Sequence, residues 1–354
     1  MTPKEKPFTP GPIALFGSGE TSPGGQKIFD YLFQLAPAAS RVKILETPAG
    51  FELNSEQVAA NVGNFIDHHL QNYSPEIEII PARKKSTPAS PDNPDIIHPL
   101  LDADLIFMGP GSPSYAVRQL ENSLAWEYLL ARHRLGSGLA FSSAATVAIS
   151  SFALPVYEIY KVGEDLHWKP GLDFFNPYQL SLVFVPHWNN QDGGDELDTS
   201  RCYMGKPRFD TLHKMLPDGQ TVIGIDENTG LVIDFHAGSC TAVGQGNVNI
   251  LMADSQIRLP AGENLDLTEL GNFQDSHPLA GISQETWETA LKAAKENAKP
   301  VQPPLAVVDL AEERLKARTQ KDWERADQLR NEIDARGWSV QDTPDGFQLQ
   351  QSEG

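Results

Sequence analysis

The chain has 354 residues with 28 Lys+Arg against 47 Asp+Glu, a formal net charge of -19. That length allows two domains and an ample core. The negative field repels phosphate backbones, which argues against nonspecific nucleic-acid binding. Two cysteines, Cys202 and Cys240, supply neither a disulfide framework nor a cysteine-rich zinc site. The first dozen residues have no apolar run behind their charges and do not read as a secretory signal. Leu135–Tyr157 has no charged residue, but six Ser/Thr hydroxyls and Pro155 make it too polar for a membrane span. The expectation is a cytoplasmic protein.

In chain order, Pro12–Phe16 reads as a strand ending at Gly17-Ser18-Gly19, with a helix carrying Ile28, Tyr31, Leu32 and Leu35 after it. Val42–Leu45 is the next strand, and Asn54–Leu70 the next helix. Ile77–Ile80 and Leu105–Met108 follow, with a proline-rich loop over 82–95 between them. Tyr115–Arg134 is expected as one helix. Apolar strands alternating with amphipathic helices predict an α/β fold, a doubly wound and mostly parallel sheet of flavodoxin-like type. From residue 180 the strands crowd together. Thr221–Ile225, Gly230–Asp234, Thr241–Val243 and Val248–Met252 are expected as an antiparallel extension of the same sheet.

Gly138–Ala148 carries the chemistry. An apolar strand runs into Ser142-Ser143-Ala144-Ala145 and then a small-residue helix. Small residues permit a sharp strand-to-helix turn that presents a hydroxyl at a helix N-terminus. The plain alternative is a serine helix cap. A serine nucleophile needs a histidine within hydrogen-bond reach. His187 ends an apolar strand, where α/β folds place their sites. His68, His69, His133 and His213 fall on helices and are expected to face solvent. An acid must orient the histidine, and two glutamates compete. Glu158 lies in the apolar stretch Pro155–Tyr160, where a carboxylate needs a partner; Glu164 follows Gly163 in a loop-like setting. Gly111, Ser112 and Ala144 are candidate oxyanion donors. Trp188, Asn189 and Asn190 are candidate substrate contacts. The oxygen-rich stretch 187–198 reads as a polar loop, so no metal is assigned. Neither glycine loop has a phosphate-binding lysine or a complete dinucleotide fingerprint, so no cofactor is assigned.

This order of elements, with Gly109-Pro110-Gly111-Ser112-Pro113 and the elbow Phe141-Ser142-Ser143-Ala144-Ala145-Thr146, resembles the class I glutamine amidotransferase-like fold. Within that fold it is similar to the serine-peptidase branch of dipeptidase E and cyanophycinase, over residues 12–253. The branch elbow reads Gly-x-Ser-Ala-Gly-Ala; here Phe141 and Ala145 replace its two glycines. The resemblance implies that Ser143 is the nucleophile, that the histidine follows on the next long strand, and that the acid lies between them. The expected function is hydrolysis of a peptide or amide bond in a small substrate by Ser-His-Glu acyl transfer. The alternative is a catalytically silent, amidotransferase-like protein that binds a ligand or a partner.

Residues 308–354 read as a separate unit after a linker at 301–307, with 1–300 as the main domain. Leu310, Trp323, Ala326, Leu329 and Ile333 recur at helical spacing, Gly337 ends the pattern, and a hairpin is expected around Asp345-Gly346. Arg314–Arg318, Lys321–Arg330 and Asp342–Gly346 resemble the C-terminal segment of cysteinyl-tRNA synthetases. No His-Ile-Gly-His or Lys-Met-Ser-Lys-Ser signature accompanies it, so aminoacylation is not expected. Between Val308 and Arg336 seven Lys/Arg meet eight Asp/Glu, which is no basic footprint for RNA. A protein partner or self-association through 308–354 is the expected use, and a plain C-terminal brace for the main domain is the alternative.

Overall fold

The computed structural model describes residues 9–36, 40–297, 303–343 and 346–351. The chain forms two compact units, Met1–Glu296 and Asn297–Gly354. In the first, five parallel strands, β1 (Ile13–Phe16), β2 (Arg41–Leu45), β3 (Glu76–Ile80), β4 (Leu105–Met108) and β5 (Gly138–Ser142), stand in the order β1-β5-β4-β2-β3. Thr229–Asp234, Ser239–Gly244 and Asn264–Asp266 add antiparallel strands beyond β1, making an eight-stranded sheet.

Side chains alternate across this sheet, as strand geometry requires. Ala14 and Phe16 join Phe29, Leu32 and Ile66 on one face, while Ile13 and Leu15 join Leu139, Phe141 and Leu231 on the other. The expected extension is only half right. Thr221–Ile225 and Asn247–Leu251 leave the main sheet and pair with Leu182–Val185 and Gln256–Pro260 in a second, four-stranded sheet. Two of the turns at which the chain changes sheets are tied together: the Asp226 carboxylate accepts from the Asn247 N–H at 2.9 Å, and Gln245 N–H donates to Asn228 O at 3.1 Å. Phe184, Ile223 and Ile250 of the second sheet share one core with Leu15 and Phe141 of the first.

The helix expected over Tyr115–Arg134 breaks into Pro113–Leu120 and Leu124–Arg134. Asn122 takes a positive φ, and Ser123 starts the second helix by accepting from Trp126 N–H at 3.2 Å. His133 on that helix is fully buried, not solvent-facing. Its Nε2 meets the Tyr178 hydroxyl at 2.7 Å, and burial beside Arg134 holds the imidazole well below its usual pKa. Among the described residues no helix is long and apolar enough to cross a membrane.

The second unit contains helices Leu305–Thr319 and Trp323–Asp334, then paired antiparallel strands Trp338–Thr343 and Gly346–Gln351. Its first helix takes in the last residues of the expected linker, because Pro304 caps it and Val307 is buried in the unit's core with Ala311, Ile333 and Trp338. Residues 301–302 of that linker, and Asp345 of the expected hairpin turn, lie outside the described residues. Trp323 does not join the core: it is 56% exposed, with the Arg318 guanidinium 5.6 Å from its ring centroid.

Phe29 packs 4.9 Å from the Phe16 ring and 5.9 Å from Phe107 and is fully buried. Phe29→Ala is expected to cost about 3–5 kcal/mol of unfolding free energy, read from the urea midpoint.

Candidate active site

The elbow follows from what β5 meets at its end. Ser142 is the last residue paired with β1, and its hydroxyl donates to Glu20 Oε2 at 2.7 Å. Thr146 Oγ1 donates to Phe141 O at 2.8 Å and Phe16 O at 3.1 Å, folding the helix Ala144–Ala148 back against the strand ends. Between them Ser143 has φ 50° and ψ -108°, a conformation that L-residues avoid. Its hydroxyl makes no cap hydrogen bond, so the plain helix-cap reading does not describe it. Ala145, at one substituted glycine of the resembled elbow, is buried in the core beside Phe141. Its methyl is thereby packed.

Ser143 Oγ lies 2.9 Å from His187 Nε2, and His187 Nδ1 lies 2.9 Å from Glu227 Oε1. The carboxylate beside the histidine is thus neither of those expected. Glu158 lies on a helical turn rather than a strand, and its Oε1 accepts from Lys169 Nζ at 2.8 Å. Burial pushes its carboxyl up, but the Lys169 bond and charge, added to smaller hydrogen-bond contributions, together hold it below the usual range. The partner that its apolar context demanded is a lysine. Glu164 is about half exposed, 3.6 Å from His167 Nε2.

Glu227 was missed because the acid was sought between serine and histidine. It stands in the turn after Thr221–Ile225, the strand parallel and adjacent to Leu182–Val185, whose end carries His187. An acid at the end of the strand next to the histidine strand was the available signal. The His187 bond, with help from Asn190 Nδ2 at 2.9 Å, holds the Glu227 carboxyl below its usual pKa despite partial burial. Asn189 Oδ1 fixes the same turn by accepting from Glu227 N–H at 2.8 Å.

These contacts reassign the expected substrate residues. Asn189 and Asn190 hold Glu227, and Trp188 is buried against Phe209. None of the three lines the cavity in front of Ser143. That cavity, about 560 Å³, is walled by Tyr157, Tyr160, Tyr203, Asp192 and Lys161, with Gly111 and Ala144 beside the serine. Ser112 is not available as an oxyanion donor, since its N–H is taken by Pro48 O at 3.0 Å and its hydroxyl caps the next helix. Gly111 has φ 146°, and a Cβ there would sit 2.0 Å from Pro48 O. Only glycine fits this turn. Cys202 also borders the cavity, but burial pushes its thiol up to about 12. A thiol so placed is no thiolate nucleophile. Among the described residues no group of three or more His, Cys, Asp or Glu could hold a metal ion.

A left-handed turn pins the histidine from its other side. Arg201, Cys202 and Tyr203 have φ of 59°, 58° and 67°, and His187 itself has 51°. Such residues cost about 1–2 kcal/mol each, offset here by directed bonds. Cys202 N–H donates to His187 O at 3.2 Å; Arg201 donates to Trp188 O through its N–H at 3.0 Å and through Nη1 at 2.9 Å. The Arg201 guanidinium also lies 4.0 Å from the Trp188 ring centroid.

Comparison with known proteins finds a likeness for the main unit and another for the second. A solved peptidase from an acI-B1 Actinobacterium is similar over 74% of this chain and 98% of its own, with a TM-score of 0.60 and 22% identity. The main unit therefore has the class I glutamine amidotransferase-like fold. Residues 304–349 match the family described as Cysteinyl-tRNA ligase anticodon binding domain. Cysteine--tRNA ligase 1 of Burkholderia lata is 51% identical over 37 residues, 10% of this chain. The match spans 8% of that ligase's length, so the likeness is to its segment and not to the whole enzyme.

The low pKa of Glu227 sets a pH dependence. A carboxyl whose folded pKa is depressed stabilises the fold above its unfolded value and loses that contribution as pH falls through the folded value. Wild type should therefore exceed Glu227→Gln in stability at pH 6–7, with the gap closing below about pH 4.5. Denaturant titrations across pH 3–7 measure this.

Proposed function

We propose that the main unit is a serine hydrolase of peptide or amide bonds. The observation that carries this reading is the unbroken chain Ser143–His187–Glu227, with both contacts at 2.9 Å and the serine held at a strained elbow over a cavity. Ser143 attacks the carbonyl carbon while His187 Nε2 takes its proton. Glu227 orients the ring through Nδ1 and stabilises the imidazolium. The oxyanion meets the N–H groups of Ala144 and Gly111. His187 then returns the proton to the leaving amine, and water repeats the sequence on the acyl-enzyme. The fold shared with a peptidase supports the reaction class, and the cavity volume suits a small peptide. The second unit takes no part in this chemistry in our reading. Its near-balanced charge supports a protein contact over an RNA contact.

A fluorophosphonate probe tests the reading, with the labelled residue identified by mass spectrometry. Wild type should label at Ser143, while Ser143→Ala and His187→Ala should not label. Glu227→Gln should slow labelling by about 10²–10⁴-fold. Glu158→Gln and Glu164→Gln should label at the wild-type rate. Intact labelling of Glu227→Gln would remove the glutamate from the mechanism; absence of labelling in wild type would favour a silent, ligand-binding domain.

A further inference from the structure

A second cavity, about 810 Å³, adjoins the first, and Tyr157 lines both. The stretch 111–115, a turn running into the helix Pro113–Leu120, borders both, with Gly111 and Pro113 on the serine cavity and Ser112, Ser114 and Tyr115 on the other. The second cavity also gathers unusual surface. Among the described residues seven large apolar side chains are exposed; Phe51, Tyr157 and Val162 line this cavity, and Leu53 lies two residues from Phe51. The Phe51 and Tyr115 rings stand 5.1 Å apart. Soluble chains seldom cluster exposed apolar groups without a ligand or partner to cover them.

We propose that this cavity is a substrate subsite: it takes an apolar side chain of a peptide that runs from the Ser143 cavity past Tyr157. The proposal rests on the hydrolase reading for its orientation and extends it to the substrate class, an oligopeptide with an apolar residue away from the scissile bond. Continuity through Tyr157 argues for the substrate itself as the occupant rather than a separate partner. Charge argues for an apolar group. Glu52 and Glu158 on this wall are matched by Lys84 and Arg118, so the formal charges cancel in a chain whose total is -19. Glu158 is further occupied by Lys169.

Binding and cleavage are read separately. Calorimetry on the full-length Ser143→Ala protein compares pentaalanine with Phe-Ala-Ala-Ala-Ala and Ala-Ala-Ala-Ala-Phe. At least one phenylalanine peptide should bind about tenfold more tightly than pentaalanine, the scale of one well-seated aromatic anchor. That preference should vanish when Phe51→Ala or Val162→Ser is added; both positions are exposed, so two independent variants guard against a folding defect. Equal binding of all three peptides, no binding, or a preference untouched by both variants overturns the subsite. Wild-type protein with the same peptides, followed by mass spectrometry, tests the hydrolase reading. A binding preference without cleavage keeps the subsite and rejects the hydrolase; cleavage without a preference does the reverse.

Discussion

The site depends on a close approach at Gly17. This residue directly follows β1, the strand at the junction of the parallel and antiparallel parts of the main sheet. Its carbonyl accepts from His187 N–H at 3.0 Å, and its N–H donates to Thr229 O at 2.8 Å. A Cβ on it would lie 2.1 Å from Asp226 O, so no larger residue lets the two sheets come this near. Phe16, one step earlier, accepts from Ser143 N–H and Thr146 Oγ1. The backbone of two adjacent residues thus fixes the serine elbow, the histidine and the turn that holds the glutamate.

Around that junction the protein spends backbone strain where the geometry must be held. Ser143, His187 and the run Arg201–Tyr203 all have positive φ without being glycine. Directed backbone bonds accompany the strain: Ser143 N–H meets Phe16 O, Cys202 N–H meets His187 O, Arg201 N–H meets Trp188 O and Tyr203 N–H meets Thr199 O. Glu227 needs no such strain, because Asn189 and Asn190 fix its turn and its carboxylate directly.

The parallel strands, the elbow and His187 were legible in the sequence because each is a local pattern: an apolar run, a small-residue turn, a histidine at a strand end. Glu227 was not. Its contact with His187 spans forty residues and depends on Thr221–Ile225 pairing with Leu182–Val185, whereas the sequence put it in the main sheet. Glu158 misled for a sound reason, since a carboxylate in apolar surroundings does require a partner, and Lys169 supplied it from outside the site. Trp188, Asn189 and Asn190 follow His187 in the chain, but the asparagines bond Glu227 and Trp188 packs on Phe209, contacts that sequence order does not show without the second sheet. In the tail the helical spacing was readable, yet Trp323 was counted with the apolar face while the fold leaves it exposed beside Arg318.

The place of β1 has a consequence for the growing chain on the ribosome. β1 is made before the other strands of its sheet, but one of its two edges pairs with Thr229–Asp234, more than two hundred residues later. The serine emerges well before the glutamate. At roughly 5–20 residues per second, several seconds of synthesis separate them, and throughout that interval β1 has an open edge. The three residues exist as a set only once Glu227 has emerged behind Thr221–Ile225, the strand that pairs beside the histidine strand. A chain that ends before Glu227 therefore carries Ser143 and His187 without the carboxylate that meets the ring, so the order of synthesis sets the order in which these contacts can form.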